Sequence, residues 1–189
     1  RVMVHMANMS RFADRLVLKG ADGEYNRFLD LTGPEISKFG TFNRAHYGNA
    51  VYEIAPGEAL VMTVDQPEDS EYWNVQIGDI WYQIEDYVHH QTSLNQVQAA
   101  RDGDGLFRLV IAHEDPGVAN WLETSGRTVG ILVWRVYGPR GHVAMPKLER
   151  MPLDKVRERL LADTPVMDAA RRREQRRARR EAAAKRWRF

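Results

Sequence analysis

A chain of 189 residues, 43% apolar and 28% charged, has the composition of a folded globular protein, with room for one full-sized domain and an appendage but not for two ordinary domains. It contains no cysteine, which excludes disulfides, thiol catalysis, zinc fingers and iron–sulfur clusters together. The formal net charge of +1 conceals a segregation: residues 171–189 carry nine Arg and one Lys against Glu174 and Glu181, a net of +8, and the rest of the chain carries −7.

At the start of the chain, residues 1–10 show no long apolar stretch followed by a small-residue cleavage site, so no secretory signal is read there. No apolar run approaches the ~20 residues that span a bilayer. The lack of cysteine fits a cytoplasmic location. The first residue is Arg1 rather than Met, as in a piece of a longer polypeptide, and an upstream signal or domain is left open. Residues 1–50 read as a lead-in of short elements. Residues 12–18 (FADRLVL) suit a helix end or a strand, and Ala21-Asp22-Gly23-Glu24, Thr32-Gly33-Pro34 and Phe39-Gly40 are breaks.

Residues 51–150 read as a β-domain. After the Pro56-Gly57 turn, residues 58–65 (EALVMTVD) form a nearly continuous apolar run of strand length, suited to a strand covered on both faces. Residues 67–70 are a break. Residues 72–78 then alternate, with Trp73, Val75 and Ile77 on one face and Tyr72, Asn74 and Gln76 on the other. Residues 80–90 (IWYQIEDYVHH) are aromatic and β-prone. Asp102-Gly103-Asp104-Gly105 lies between residues 97–101 and 106–113, where Gly supplies the positive φ of a tight hairpin. As a calcium loop this stretch fails, because Leu106, Phe107 and His113 stand where ligands and Gly are needed. Asp115-Pro116-Gly117 turns the chain, Asn120-Trp121-Leu122 crosses a loop, and residues 128–137 (TVGILVWRVY) are the longest strand, stopped by Gly138-Pro139. Such regular turns between short strands predict an all-β sandwich or jelly roll rather than βαβ units.

Residues 151–189 change character. Leu153, Val156, Leu160 and Leu161 recur at helical spacing after Pro152. Thr164 and Pro165 suit the cap and first position of a second helix, and residues 166–187 are rich in the helix formers Ala, Arg and Glu. The apolar stripe of this second helix is thin, which predicts a largely solvated helix.

Glu58-Ala59-Leu60-Val61, Tyr72-Trp73-Asn74-Val75, Thr92-Ser93-Leu94-Asn95, Asp115-Pro116-Gly117, Asn120-Trp121-Leu122 and Arg135-Val136-Tyr137-Gly138-Pro139 occur in an order that resembles the bacterial domain family DUF1214. The resemblance covers about residues 56–139. Its most specific element is DPG-x2-NWL ahead of a strand ending in R-x-YGP. It implies a jelly-roll-like antiparallel β-sandwich, often at a C-terminal end and paired with an upstream DUF1254 domain, and it implies no reaction. The expected fold class is therefore mainly β, a jelly-roll-like antiparallel β-sandwich with a C-terminal helical extension.

Several side chains are candidates for chemistry. His113 and Asp115, at a strand end entering a loop, could orient each other for acid–base work, with His90 and Glu85 as further participants. The bland alternative is that Asp115 caps its Pro-Gly turn and His113 finishes a core strand. His89 and His90 are adjacent on an expected strand and would point to opposite faces, and no metal-ligand spacing such as HExxH occurs, so no metal and no cofactor are assigned. Trp73, Trp81, Asn120, Trp121 and Arg135 are candidates for ligand binding. Aromatic walls with a few polar groups suit small molecules, although strand aromatics are more often core. Arg135 interrupts the face of Ile131, Val133 and Tyr137 and needs either a carboxylate partner or an anionic ligand, the structural pair being favoured. Nucleophile-elbow, phosphate-loop and dinucleotide motifs are absent.

Three readings compete. The first is a ligand-binding or interaction module of a larger bacterial protein, partnered by an upstream domain or a neighbouring subunit. The second is an enzyme on a small organic substrate, in which His113, His90, Glu85, Asp115 and Arg135 meet at one point. The third is a nucleic-acid accessory protein using the Arg-rich helix, disfavoured because no base-stacking or groove-reading motif accompanies the charge. That helix is expected to pack on the acidic body or on a second copy in a homo-oligomer, with Trp187 and Phe189 anchoring its end.

Overall fold

The apolar run after Pro56-Gly57 becomes the central element of one of two packed sheets. The computed structural model describes residues 25–32, 44–66 and 70–186. These form β1 (Leu29–Asp30), β2 (Ala45–Glu53), β3 (Glu58–Val64), β4 (Tyr72–Gly78), β5 (Ser93–Asn95), β6 (Phe107–Ala112), β7 (Trp121–Glu123), β8 (Val129–Tyr137) and β9 (Lys147–Pro152). A 3-10 turn (Leu153–Lys155), the short helix α1 (Val156–Arg159) and the long helix α2 (Ala169–Arg186) follow. The lead-in breaks before Tyr25, Phe39-Gly40, the break at 67–69 and the anchors Trp187 and Phe189 lie outside the described residues.

One sheet has the strand order β1-β2-β8-β4-β5 and the other β7-β6-β3-β9. Both faces of β3 are covered, as its continuous apolar sequence requires. Leu60, Met62 and Val64 join the core between the sheets, while Ala59 and Val61 pack with Val156 and Leu160 of the C-terminal segment. The alternation in β4 holds: Trp73, Val75 and Ile77 are fully buried, with Trp73 edge-on to Phe107 at 5.0 Å, and Tyr72, Asn74 and Gln76 face outward. In β8 the same period sends Leu132, Trp134 and Val136 inward, whereas Ile131 and Val133 join Val51 in a small cluster on the outer face. The chain is thus mainly β, two stacked sheets with a C-terminal helix.

Local hydrogen bonding departs from the sequence reading at five places. The sandwich is not purely antiparallel: β7 runs parallel to β6, with Val110 opposite Trp121. Residues 113–120 double back beside β6, helped by a turn in which Asp115 Oδ1 accepts from the Gly117 amide at 2.9 Å. Residues 80–90 are turns, not strand, because two carboxylates capture the backbone. Asp79 Oδ1 accepts from the amides of Trp81 and Gln83, and Asp86 Oδ1 from those of Val88 and His89. The Asp102 to Gly105 turn closes through Gly105 N to Asp102 O, with Gly105 at φ 85°, but residues 97–101 before it are irregular, so no hairpin forms. Lys147–Pro152 is a further strand, hidden in the sequence because it is a charged edge strand with little buried surface. Thr164 does not cap α2; its hydroxyl donates to Asp102 Oδ1 at 2.9 Å, and α2 begins at Ala169 with Asp168 Oδ1 accepting from the Arg171 amide.

Candidate functional site

Helix α2 returns across the sandwich and is fastened through arginine rather than through apolar side chains. Arg172, Arg176, Arg179, Ala183 and Arg186 recur at three-, four- and seven-residue spacing and so share one helix face. Arg172 is 5% exposed. It makes two parallel bonds to Asp115, at 2.8 and 3.0 Å, donates to the Val118 carbonyl, and stacks 5.0 Å above the Trp121 ring. Arg176 lies over the same ring at 5.8 Å and pairs with Glu123 at 3.0 Å, whose other oxygen is 2.8 Å from His90 Nδ1. Asp115 therefore does cap its turn, and it also anchors the helix.

Two turns beyond Arg172, Arg179 meets β5. Its Nε donates to the Tyr87 carbonyl at 2.6 Å, Nη1 to the Ser93 carbonyl at 3.2 Å and Nη2 to the Ser93 hydroxyl at 2.7 Å. Burial first, and the charge of Arg186 second, hold its guanidinium below the ordinary arginine range. Between α2, the 84–87 turn and the outward face of β4 and β5 runs a groove of about 360 Å³. Tyr72, Asn74, Gln76, Ser93 and Asn95 form its floor, with Leu94 and Gln98 beside them, and Ile84, Tyr87, Arg179, Ala182, Ala183 and Arg186 form its walls. The register aligns this floor in rows. Asn95, Asn74 and Arg135 are successive neighbours across β5, β4 and β8, as are Ser93, Gln76 and Val133.

The residues singled out from sequence are distributed differently. Trp73 is wholly in the core, with its indole N–H unpaired among the described residues. Trp121 is buried beneath Arg172 and Arg176, its Nε1 donating to the Ala112 carbonyl at 3.1 Å. Asn120, also buried, clamps two segments: it accepts from the Ala100 amide and donates to the carbonyls of Ala100 and Arg108. Trp81 is 53% exposed and stands outside the groove lining. Arg135 has no carboxylate partner among the described residues. It lies 5.8 Å over Tyr47, its neighbour in β2, because the register sets Tyr47 and Asn74 on either side of it.

His113, His90, Glu85 and Asp115 each contact a partner outside this set, and Arg135 lies over Tyr47. His113 Nε2 bonds the Ile54 carbonyl at 3.2 Å, so in the neutral ring Nδ1 accepts from the Thr124 hydroxyl at 2.6 Å. Glu85 pairs with Arg127. His89 and His90 sit in a turn and separate because His89 pairs with Asp86 at 2.7 Å and His90 faces Glu123. Among the described residues no three His, Asp or Glu side chains gather as a metal site.

The groove residues were visible in part. Tyr72, Asn74 and Gln76 are the polar half of the β4 alternation, and Arg179 falls on the helix face that begins with Arg172. The missing signal was tertiary, since nothing local shows that an arginine face is the buried one.

With this geometry in place, the likeness to known proteins can be placed on the fold. Residues 50–141 match the family described as protein of unknown function, DUF1214, and the chain resembles that family over the end of β2 and strands β3 to β8. No curated protein matches the chain. Among solved structures, an uncharacterized protein from Burkholderia cenocepacia is 29% identical with a TM-score of 0.70, over 77% of this chain and 39% of its own. The VPA0106 protein from Vibrio parahaemolyticus, 19% identical with a TM-score of 0.50 over 62% of this chain and 34% of its own, shares the fold. The chain thus spans well under half the length of either protein. Among the described residues no helix is long and apolar enough to cross a membrane.

Proposed function

We propose that the chain is a ligand-binding module of a larger bacterial protein, and that the groove beneath α2 is where a small molecule binds. The observation that carries this reading is the groove itself: about 360 Å³, floored by amide, hydroxyl and phenol side chains and walled by Ile84, Tyr87 and the arginine face of α2. Its volume lies at the lower end of the roughly 300–1,000 Å³ of small-molecule sites, and its convergent polar groups can fix a ligand's orientation. The two longer solved proteins support the view that this unit works beside another domain.

The acid–base alternative has less to stand on, because His113, His90, Glu85 and Asp115 are each engaged with separate partners. The nucleic-acid alternative loses Arg172, Arg176 and Arg179, which turn onto the protein's own surface instead of toward solvent. The same contacts favour packing of α2 on its own chain over an oligomer joined through it.

A fragment library observed by ligand NMR tests the proposal. Fragments should bind the wild type and be lost in Ala182→Trp, a change at an exposed wall position that fills the groove without touching the core. Fragments that bind both proteins alike would place the site elsewhere.

A further inference from the structure

The charge balance of the groove goes beyond its shape. Two arginines line it and no Asp or Glu does. Arg179 is half-buried, and its three hydrogen bonds all end on neutral oxygens. A guanidinium has five N–H donors in a fixed fork, so two remain unclaimed among the described residues. Arg186, two turns further along the same helix face, makes no ion pair among the described residues. Elsewhere on α2, Arg171, Arg172, Arg176 and Arg177 each have a carboxylate, and Arg173 and Arg180, which have none among the described residues, are exposed rather than half-buried like Arg179. Partly desolvating a cation without a counter-charge is costly, and doing so beside a second cation more so. Beside Asn74 of the floor, Arg135 likewise has no carboxylate partner among the described residues.

Resting on the ligand-binding reading, we infer that the groove takes an organic oxyanion, a carboxylate or phosphate ester carried on a small apolar body. The oxyanion docks on the free donors of Arg179 near Arg186, and the body lies on Tyr72, Tyr87 and Ile84 with the Asn74 amide beneath it. The anion supplies the charge that the site's own side chains withhold. An inorganic ion leaves the aromatic walls unused, and a neutral molecule leaves the cations unpaired, so neither fits the whole lining.

Isothermal titration with four probes decides it: phenylacetate, phenyl phosphate, neutral phenylacetamide and inorganic phosphate. One or both aromatic anions should bind at least about tenfold tighter than phenylacetamide and inorganic phosphate, with affinity falling as salt is raised. Which of the two anions wins identifies the head group. Arg179→Gln should remove that preference. Because Arg179 also ties α2 to β5, Arg186→Gln is measured alongside; this exposed position should leave the far-ultraviolet spectrum unchanged while weakening anion binding several-fold. Phenylacetamide binding as tightly as phenylacetate, with no effect of either arginine variant, would overturn the inference and leave the ligand-binding reading standing. Failure of all four probes would count against both.

Discussion

Arg172 and Asp115, 57 residues apart in sequence, are joined by two parallel hydrogen bonds, Nε to Oδ2 at 2.8 Å and Nη2 to Oδ1 at 3.0 Å. This one pair ties the Asp115-Pro116-Gly117 turn of the sandwich to the first turns of α2, and so sets where Arg179 and Ala183 fall two and three turns later. Asp115→Ala leaves a buried guanidinium with only the Val118 carbonyl, Gln175 and the Trp121 ring. The expected cost is roughly 1.5–3 kcal/mol, read by urea unfolding, for loss of hydrogen bonds to a charged group. Probe binding in the groove should weaken with it, because one wall is released. A variant that is destabilised but binds normally would separate the helix anchor from the site.

Asn120 belongs to the scaffold. It holds the Ala100 backbone from both sides and the Arg108 carbonyl at 3.0 Å. Asn120→Ala leaves those buried groups unpaired and should cost roughly 1–3 kcal/mol. Ligand affinity, measured well below the unfolding transition, should be unchanged.

Acid titration should expose the Arg108 cluster. Arg108 is buried and bonds Asp102 at 2.7 Å and Asp104 at 2.7 and 3.1 Å. The Arg108 hydrogen bond holds the Asp104 carboxyl below its ordinary value of 3.8. A carboxyl whose folded value is depressed contributes stability that is fully present above the ordinary carboxylate range and lost as pH falls through the depressed value. Stability should therefore decline as pH drops from about 5 toward 3. Asp104→Asn should remove part of that slope, and an unaltered slope would refute the assignment. Asp104 is exposed, so the effect is one of pH dependence more than of magnitude.

Gly130 faces Tyr52 across the β2–β8 pair, and an added Cβ would lie 2.6–2.7 Å from the phenol ring and its oxygen. Tyr52 is wholly buried, so it has little room to yield. Gly130→Ala should lower stability by about 1–3 kcal/mol, as overpacking of a core does, and calorimetry will show it as a lower Tm.

Much of the fold was legible because its signals are local. The period of two in Trp73, Val75 and Ile77, the unbroken apolar run of β3 and the turn residues between them report burial directly. The errors arose where a side chain, not hydrophobicity, set the backbone. Asp79 and Asp86 convert an aromatic, β-prone stretch into turns, and Thr164 prefers Asp102 to a helix cap. Lys147–Pro152 pairs with β3 mainly through its backbone, with only Leu148 and Met151 packing inward, so its charged sequence gave little warning. The site was hidden for a related reason. Aromatic candidates such as Trp73 and Trp121 proved to be packing, while the groove is assembled from the polar half of β4 and from a helix whose buried face is written in arginine.

The central claim is that a small molecule lies between α2 and the outward face of β4 and β5. Backbone amide shifts in a nitrogen-15 spectrum, followed during titration with phenylacetate, test it most directly. The account predicts that the largest changes cluster at Asn74, Gln76, Ser93, Asn95 and Ala183, with His113, Thr124 and Trp81 silent. Changes centred on His113 and Thr124, with the β4–β5 face unmoved, would contradict it.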